Sequence, residues 1–211
     1  MVQQAPALFL ADTLGLDFLN SIATPVDTEI DWIDDGDGLL AWLEQARLVP
    51  ADALASLREQ AIPGELDKVA AQARSLREWF RLFVRAHRGG PLGPEAVEEL
   101  APLNRLLARD EGFLQLAAAD QRSAGGLRLE TLRRWRSPDA LLLPIGEALA
   151  RFLSEEDFSY VKACEGPACT LLFADHTRGH VRRWCSMAIC GNRAKQAAHR
   201  NRVKTSRTAG A

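Results

Sequence analysis

Residues 164–193 read CEGPACTLLFADHTRGHVRRWCSMAICGNR and contain every cysteine of the chain: Cys164, Cys169, Cys185 and Cys190. The spacing is Cys-x4-Cys, fifteen residues, then Cys-x4-Cys. Zinc takes four soft ligands in a tetrahedron, each sulfur at about 2.3 Å, and two close pairs supply two chelating turns. Four-residue gaps sit at the wide end of zinc spacings. The alternatives are two disulfides or four buried thiols. Clustering of all the cysteines in one short stretch favours one structural Zn2+ held by these four residues. Four thiolates leave no open position for water, which argues against zinc catalysis.

The flanking residues give the cluster a shape. Gly166 and Pro167 suit a tight turn within the first pair. CTLLF and VRRWC are expected to be the two arms of a hairpin, with ADHTRGH as its turn. His176 and His180 lie in that polar turn, where solvent or nucleic-acid contact is a simpler reading than a ligand role. Trp184 and Phe173 supply the small core of the module. After Cys185, SMAICGNRAKQAAHRNRVK is rich in helix formers, with Ser186 as a cap. Gly191 is unfavourable in a helix, so a close neighbour is expected there. Arg193, Gln196, Arg200 and Lys204 recur at spacings of three and four, with Lys195, His199 and Arg202 as a second stripe.

Charge separates this segment from the rest. Residues 160–211 hold ten Lys/Arg and two acids, a formal +8; the preceding 159 residues hold 16 bases and 26 acids, a formal −10. A basic helix beside Arg182 and Arg183 suits phosphates, so duplex DNA is the expected partner. The candidate DNA-contacting residues are Arg182, Arg183, Arg193, Lys195, Arg200, Arg202 and Lys204. The competing reading is a zinc-stabilised module for an acidic protein, for RNA, or for the chain's own acidic body.

Upstream, the sequence predicts helices. GLLAWLEQARLVP has an apolar face stopped by Pro50, with Asp37 as a cap. ADALASLREQ adds a short helix. PGELDKVAAQARSLREWFRLFVRAH repeats apolar residues at three and four and ends at Gly89-Gly90. GPEAVEELAPLNRLLARD reads as a helix that Pro102 kinks. GFLQLAAAD and GLRLETLRRW alternate around a turn-rich stretch and predict a hairpin near 113–135. SPDALLLPIGEALARFLSEED returns to helix, with Ser137 as its cap. The aspartates of ATPVDTEIDWIDDGDG read as a solvated loop.

The expected fold is mainly α with a small antiparallel β-hairpin (α+β), followed by a zinc module of hairpin plus helix. The boundaries are 1–158 for an acidic helical body, 159–205 for a separate zinc module, and 206–211 for a tail.

With 47% apolar and 26% charged residues, the composition is that of a globular protein. No apolar run suits a bilayer span, and the N-terminus lacks a basic region before its apolar stretch. The expectation is a cytoplasmic protein without membrane contact. No Ser-His-Asp set, Gly-rich phosphate loop or H-E-x-x-H occurs, so an enzyme is not expected. His87 is read against its own helix end. Asp17, Asn20 and Trp42 serve either as caps and core or as the lining of an effector pocket, for a small molecule or a protein. A homodimer suits a regulator, although no heptad pattern supports one.

Leu172-Phe173, Asp175, Arg182 to Met187, and Cys190-Gly191-Asn192-Arg193 with Lys195 resemble the CGNR zinc finger. The departure is Ala174-Asp175-His176-Thr177 in the turn, which touches no ligand. GLDFLNS followed by GLLAWLEQARLV is similar to the companion ABATE domain. The resemblance covers nearly the whole chain. It implies a bacterial, stress-induced transcription regulator with zinc at the four cysteines.

Overall fold

The computed structural model describes residues 6–25, 27–119 and 126–208, with side chains up to residue 200. Eight helices and three antiparallel strand pairs lie within them. The elements are α1 (Leu14–Leu19), β1 (Ile22–Ala23), β2 (Ile30–Asp31), α2 (Gly36–Gln45), α3 (Ala51–Gln60), α4 (Glu65–His87), α5 (Ala96–Glu99), α6 (Ala101–Leu107), β3 (Gly112–Ala118), β4 (Leu127–Arg133), α7 (Leu142–Glu155), β5 (Val161–Ala163), β6 (Leu172–Ala174) and α8 (Asn192–Thr208). Among the described residues, no helix is long and apolar enough to cross a membrane.

The short α1, buried from Gly15 to Leu19, sits at the centre, against α4, α7 and β6. Aromatic rings fill the space around it. Phe80 of α4 meets Phe152 of α7 edge-on at 6.0 Å, and Phe152 meets Phe158 at 5.0 Å. Phe9 and Phe18 flank Trp42 of α2 at 5.9 and 5.7 Å. Each such ring buries on the order of 150–250 Å², and truncating one costs about 3–5 kcal/mol. Trp42 is therefore core.

Differences from the sequence reading have local causes. Asp35, not Asp37, caps α2, accepting from the Gly38 N–H at 2.7 Å. Pro102 accompanies a break rather than a kink: α5 stops at Glu99 and α6 begins at Ala101. Ser137 makes no side-chain cap; a 3-10 turn over Pro138–Leu141 leads into α7 instead. His87 leaves its helix end and bonds Glu99 at 3.2 Å. The acidic loop is only partly solvated. Asp31 grips the Arg77 guanidinium with both oxygens, at 2.8 and 2.7 Å, and Arg77 is 2% exposed. Arg74, Arg77 and Arg81 line one face of α4; they bind the Ile33 and Asp34 carbonyls, Ser21 with Asp31, and the Leu19 carbonyl respectively.

The core does not end at residue 158. Leu171 to Ala174 and Cys164 belong to the same buried cluster as the helices. Asn20, at the end of α1, clamps β6 from both sides. Its amide donates to the Leu172 carbonyl at 2.8 Å, and its oxygen accepts the Leu172 N–H at 2.9 Å. Both groups are buried, so each needs the other. Helix α8 runs to Thr208, beyond the expected limit of 205. Residues 209–211 of the expected tail lie outside the described residues.

Candidate metal centre

The hairpin that presents the cysteines is formed differently from the expectation. Its arms are β5 and β6, paired Val161↔Ala174, Lys162↔Phe173 and Ala163↔Leu172. Cys164 and Cys169 lie on the connection between these arms. The VRRWC segment forms no strand. It crosses the hairpin and joins it where the Glu165 N–H meets the Arg183 carbonyl at 2.9 Å.

From Cys185 the chain turns sharply. The Ser186 hydroxyl accepts the Ala188 N–H at 3.1 Å, and a wide π turn over Met187–Gly191 carries Cys190 back to the first pair. Helix α8 starts directly after it. Gly166 gives the cysteines room here: a Cβ on it would lie 3.0 Å from both the Cys169 Cβ and the Cys190 Sγ, so those neighbours would have to shift. The close neighbours expected at Gly191 are Met187 and Trp184, at 2.5 and 3.2 Å from a Cβ built there.

The four sulfurs lie within 4.8 Å of one another. Cys169 to Cys185 is 3.8 Å and Cys185 to Cys190 is 3.7 Å. A tetrahedron with zinc–sulfur bonds of about 2.3 Å has edges of about 3.8 Å. The cluster therefore fits one zinc, and the free thiols are not arranged as disulfides. Backbone donors support it: the Cys185 and Gly166 N–H groups point at the Cys164 sulfur at 3.3 and 3.5 Å. Such outer hydrogen bonds orient thiolate ligands.

The charge state points the same way. The Cys169 thiol is drawn down to about 5, chiefly by the hydrogen bond from Cys185. Cys185 is driven up by giving that proton's bond to Cys169, and by burial and neighbouring sulfur charge. Burial pushes Cys190 up to about 12. Without a cation one sulfur takes the negative charge and its neighbours resist it. A divalent ion allows all four to ionise together. The chain carries a site for one structural Zn2+.

Around the knuckle lies a polar clamp. Asp175 is fully buried and accepts from the Lys162 Nζ at 2.7 Å, the Thr177 hydroxyl at 2.6 Å, the Thr177 N–H at 3.1 Å and the Arg182 N–H at 2.9 Å. Burial alone would raise its carboxyl; these donors hold it well below the ordinary carboxylate range. His180, at φ +47°, stacks on Tyr160 at 3.4 Å and donates from Nδ1 to the Asp175 carbonyl at 2.7 Å. His176 pairs with Glu156 at 2.7 Å. Neither histidine belongs to the metal cluster.

The basic residues named from sequence fall into two groups. Arg182 is spent on structure. Its guanidinium lies 4.2 Å over the Phe173 ring. It donates to the carbonyls of Trp184, Leu10 and Cys185 and pairs with Asp12. Arg193 reaches back to the Ile189 carbonyl at 2.9 Å and across to the Pro25 carbonyl at 2.6 Å. Arg183 pairs with Glu165 at the surface and lies 5.0 Å over Trp184. Trp184 itself is half-buried rather than a full core residue. Lys195 and Arg200 are exposed on α8. The side chains of Arg202 and Lys204 lie outside the described residues.

Sequence reasoning missed the structural roles of Arg182 and Asp175. Arg182 and Arg193 reach Leu10, Asp12 and Pro25, some 170 residues away, so local spacing carries no signal for these partners; those of Asp175 lie nearby in the chain, at Lys162, Thr177 and Arg182. Of the residues suggested as pocket lining, Asp17 is 5% exposed. Burial raises its carboxyl to about 6, against the N–H groups of Ala11 and Leu10 that bind it. With Asn20 tied to β6 and Trp42 between rings, all three serve packing.

Residues 12–156 match the ABATE family, whose description reads "Putative stress-induced transcription regulator". Residues 160–203 match the CGNR zinc finger. No curated protein matches the chain.

Proposed function

Because the chain belongs to the ABATE family and carries a CGNR zinc finger, we propose that it is a DNA-binding transcription regulator and not an enzyme. In this reading the zinc fixes α8 against the hairpin, and α8 lies along a groove of duplex DNA. The observation that carries it is the exposure of basic residues on α8: Lys195 and Arg200, on neighbouring stripes, face solvent on a helix anchored at its first turn. The acidic body is left free to regulate.

The contacts divide by what each arginine already holds. Lys195, Arg200 and Arg183 are the phosphate contacts; Arg202 and Lys204 continue the same helix. Arg193 braces the helix to the body, and Arg182 holds the knuckle together. Base readout, which the sequence reading gives to Arg193, then falls to other exposed residues in the first turns of α8.

Filter binding of the zinc-loaded chain to a random duplex pool, followed by selection, tests this. Arg200→Ala is expected to weaken binding to every sequence and lower the salt slope by about 1, with no change in melting temperature. Arg193→Ala is expected to lower melting temperature as well as affinity. If folded, zinc-loaded protein binds duplex no better than a scrambled polyanion, and neither variant changes this, α8 is a docking surface for an acidic protein.

A further inference from the structure

Strands β3 and β4 pair over seven residues, from Gly112↔Arg133 to Ala118↔Leu127. The two-residue period of a strand places Leu114, Leu116 and Ala118 on the same face as Leu127, Leu129 and Thr131. Leu116 stands opposite Leu129, Leu114 opposite Thr131, and Ala118 opposite Leu127. The four leucines are 63–66% exposed, and none of the six residues is charged. On the other face, Phe113 and Leu132 are half-buried and Arg134 lies over the Phe113 ring at 4.6 Å. The ribbon thus turns one apolar face to water, while its other face mixes the half-buried Phe113 and Leu132 with Gln115, Arg128 and Glu130.

That arrangement is incomplete. The strands of the ribbon pack chiefly on each other, and a two-stranded ribbon alone is marginal in water. Scattered exposed leucines need no explanation, but a contiguous face of this kind marks an interaction site.

We propose that this face docks on the same face of a second copy of the chain, forming a two-fold dimer with its axis near Leu116 and Leu129. Three observations select a copy over another occupant. A two-fold interface presents a patch to itself, so any charge on the axis meets its own kind; the patch around Leu116 and Leu129 has none, and Arg133 at the far end of the same face is paired with Asp110 and Glu147. The rest of the body carries a formal −10 up to residue 159, so two bodies repel except at such a face. The area also suffices for a modest dimer. A patch of about 300–600 Å² on each copy buries up to about 1,200 Å² in total, the lower edge of specific interfaces. Stacked ribbons at about 10 Å interdigitate the leucines. The dimer carries two basic modules, and on the reading above these suit two half-sites.

The test reads mass, so it stands or falls apart from DNA binding. Sedimentation equilibrium of the zinc-loaded full chain across about 1–100 μM, where an interface this small dissociates, is expected to approach twice 23.2 kDa. Leu116→Glu with Leu129→Glu is expected to remain a monomer throughout, with unchanged zinc content and circular dichroism. Leu116→Thr keeps a strand-forming residue and is expected to weaken the dimer about tenfold; it decides the matter if the glutamate variant misfolds. Glu130→Gln, on the opposite face, is expected to leave the mass unchanged. A wild-type monomer at every concentration overturns the proposal, as does a dimer that no leucine substitution weakens.

Discussion

The body and the C-terminal module hold their helices by opposite means. The body does it with bulk: Phe18, Trp42, Phe80, Phe152 and Phe158 are each at most 1% exposed. The module has few apolar residues past Ala174, and its helix α8 is among the most polar segments of the chain. It relies on directional bonds instead: four sulfurs, one buried carboxylate with four donors, and one arginine spread over four carbonyls and an aspartate. Apolar packing tolerates small shifts and is distributed over many contacts. A ligand set is all-or-none. The difference implies that the two regions fail separately and in different ways.

Removing the metal is the strongest way to expose that difference. Binding at a structural zinc site is worth about 10–16 kcal/mol in isolated finger peptides, and that energy is folding energy for the module. Chelation, or Cys190→Ser, is therefore expected to melt α8 and raise thiol reactivity, while most of the helical signal from the body remains. Far-UV circular dichroism, a thiol assay and elemental analysis follow this together. Loss of the whole helical signal in one transition would break the comparison. It would place β6 and the Asn20 clamp, rather than the zinc, at the centre of stability.

The same contrast explains what was legible in the sequence. The ligand set was readable because the chelating turns are local and cysteine occurs nowhere else. The long helices α4 and α7 were readable from periodicity, and the β3–β4 hairpin from alternation around a turn. The zinc hairpin was assigned the wrong second arm. VRRWC follows the turn where a second arm would stand, but Arg182 is drawn to Asp12 and Leu10, and β6 is already paired with β5. Arg182 is read from charge alone, and Arg193 from its place in the first turns of the helix, with a brace as the competing account. Charge does not distinguish a phosphate contact from a brace; only the distant carbonyls of Leu10 and Pro25 do so.

A smaller effect is expected at the clamp. Asp175→Ala removes the acceptor for two backbone N–H groups, a hydroxyl and the Lys162 ammonium at a site with no exposure. Breaking a buried pair of this kind costs about 3–5 kcal/mol. The ammonium is 31% exposed and turns partly to water, so the lower end of that range is expected. Urea unfolding of the zinc-loaded variant checks it. Arg182→Lys is expected to be nearly as damaging as Arg182→Ala, because an ammonium cannot reproduce a planar fork over Phe173 that reaches four carbonyls. If the lysine variant matches the wild type, the guanidinium contributes only charge.

The weakest link joins the two regions at the surface, where His176 of the module meets Glu156 just after α7 at 2.7 Å. Glu156 raises the His176 pKa above its ordinary value, first through the hydrogen bond and then through its charge; slight burial opposes this. A histidine whose folded pKa is raised contributes stability fully below its unfolded pKa, near about 6.5. That contribution is lost as the pH climbs through the higher folded value. His176 is 54% exposed on its side chain, so solvent screening limits the pair to about 0.2–1 kcal/mol. His176→Ala is therefore expected to lower the urea midpoint slightly at pH near 6 and not at all well above the folded pKa. An NMR titration of His176 locates that value independently. Added salt is expected to shrink the difference at the lower pH, since the pair lies at the surface. A penalty that is the same at both pH values would mean that His176 acts through packing. The polar means of holding the module would then end at Asp175 and not extend to its edge.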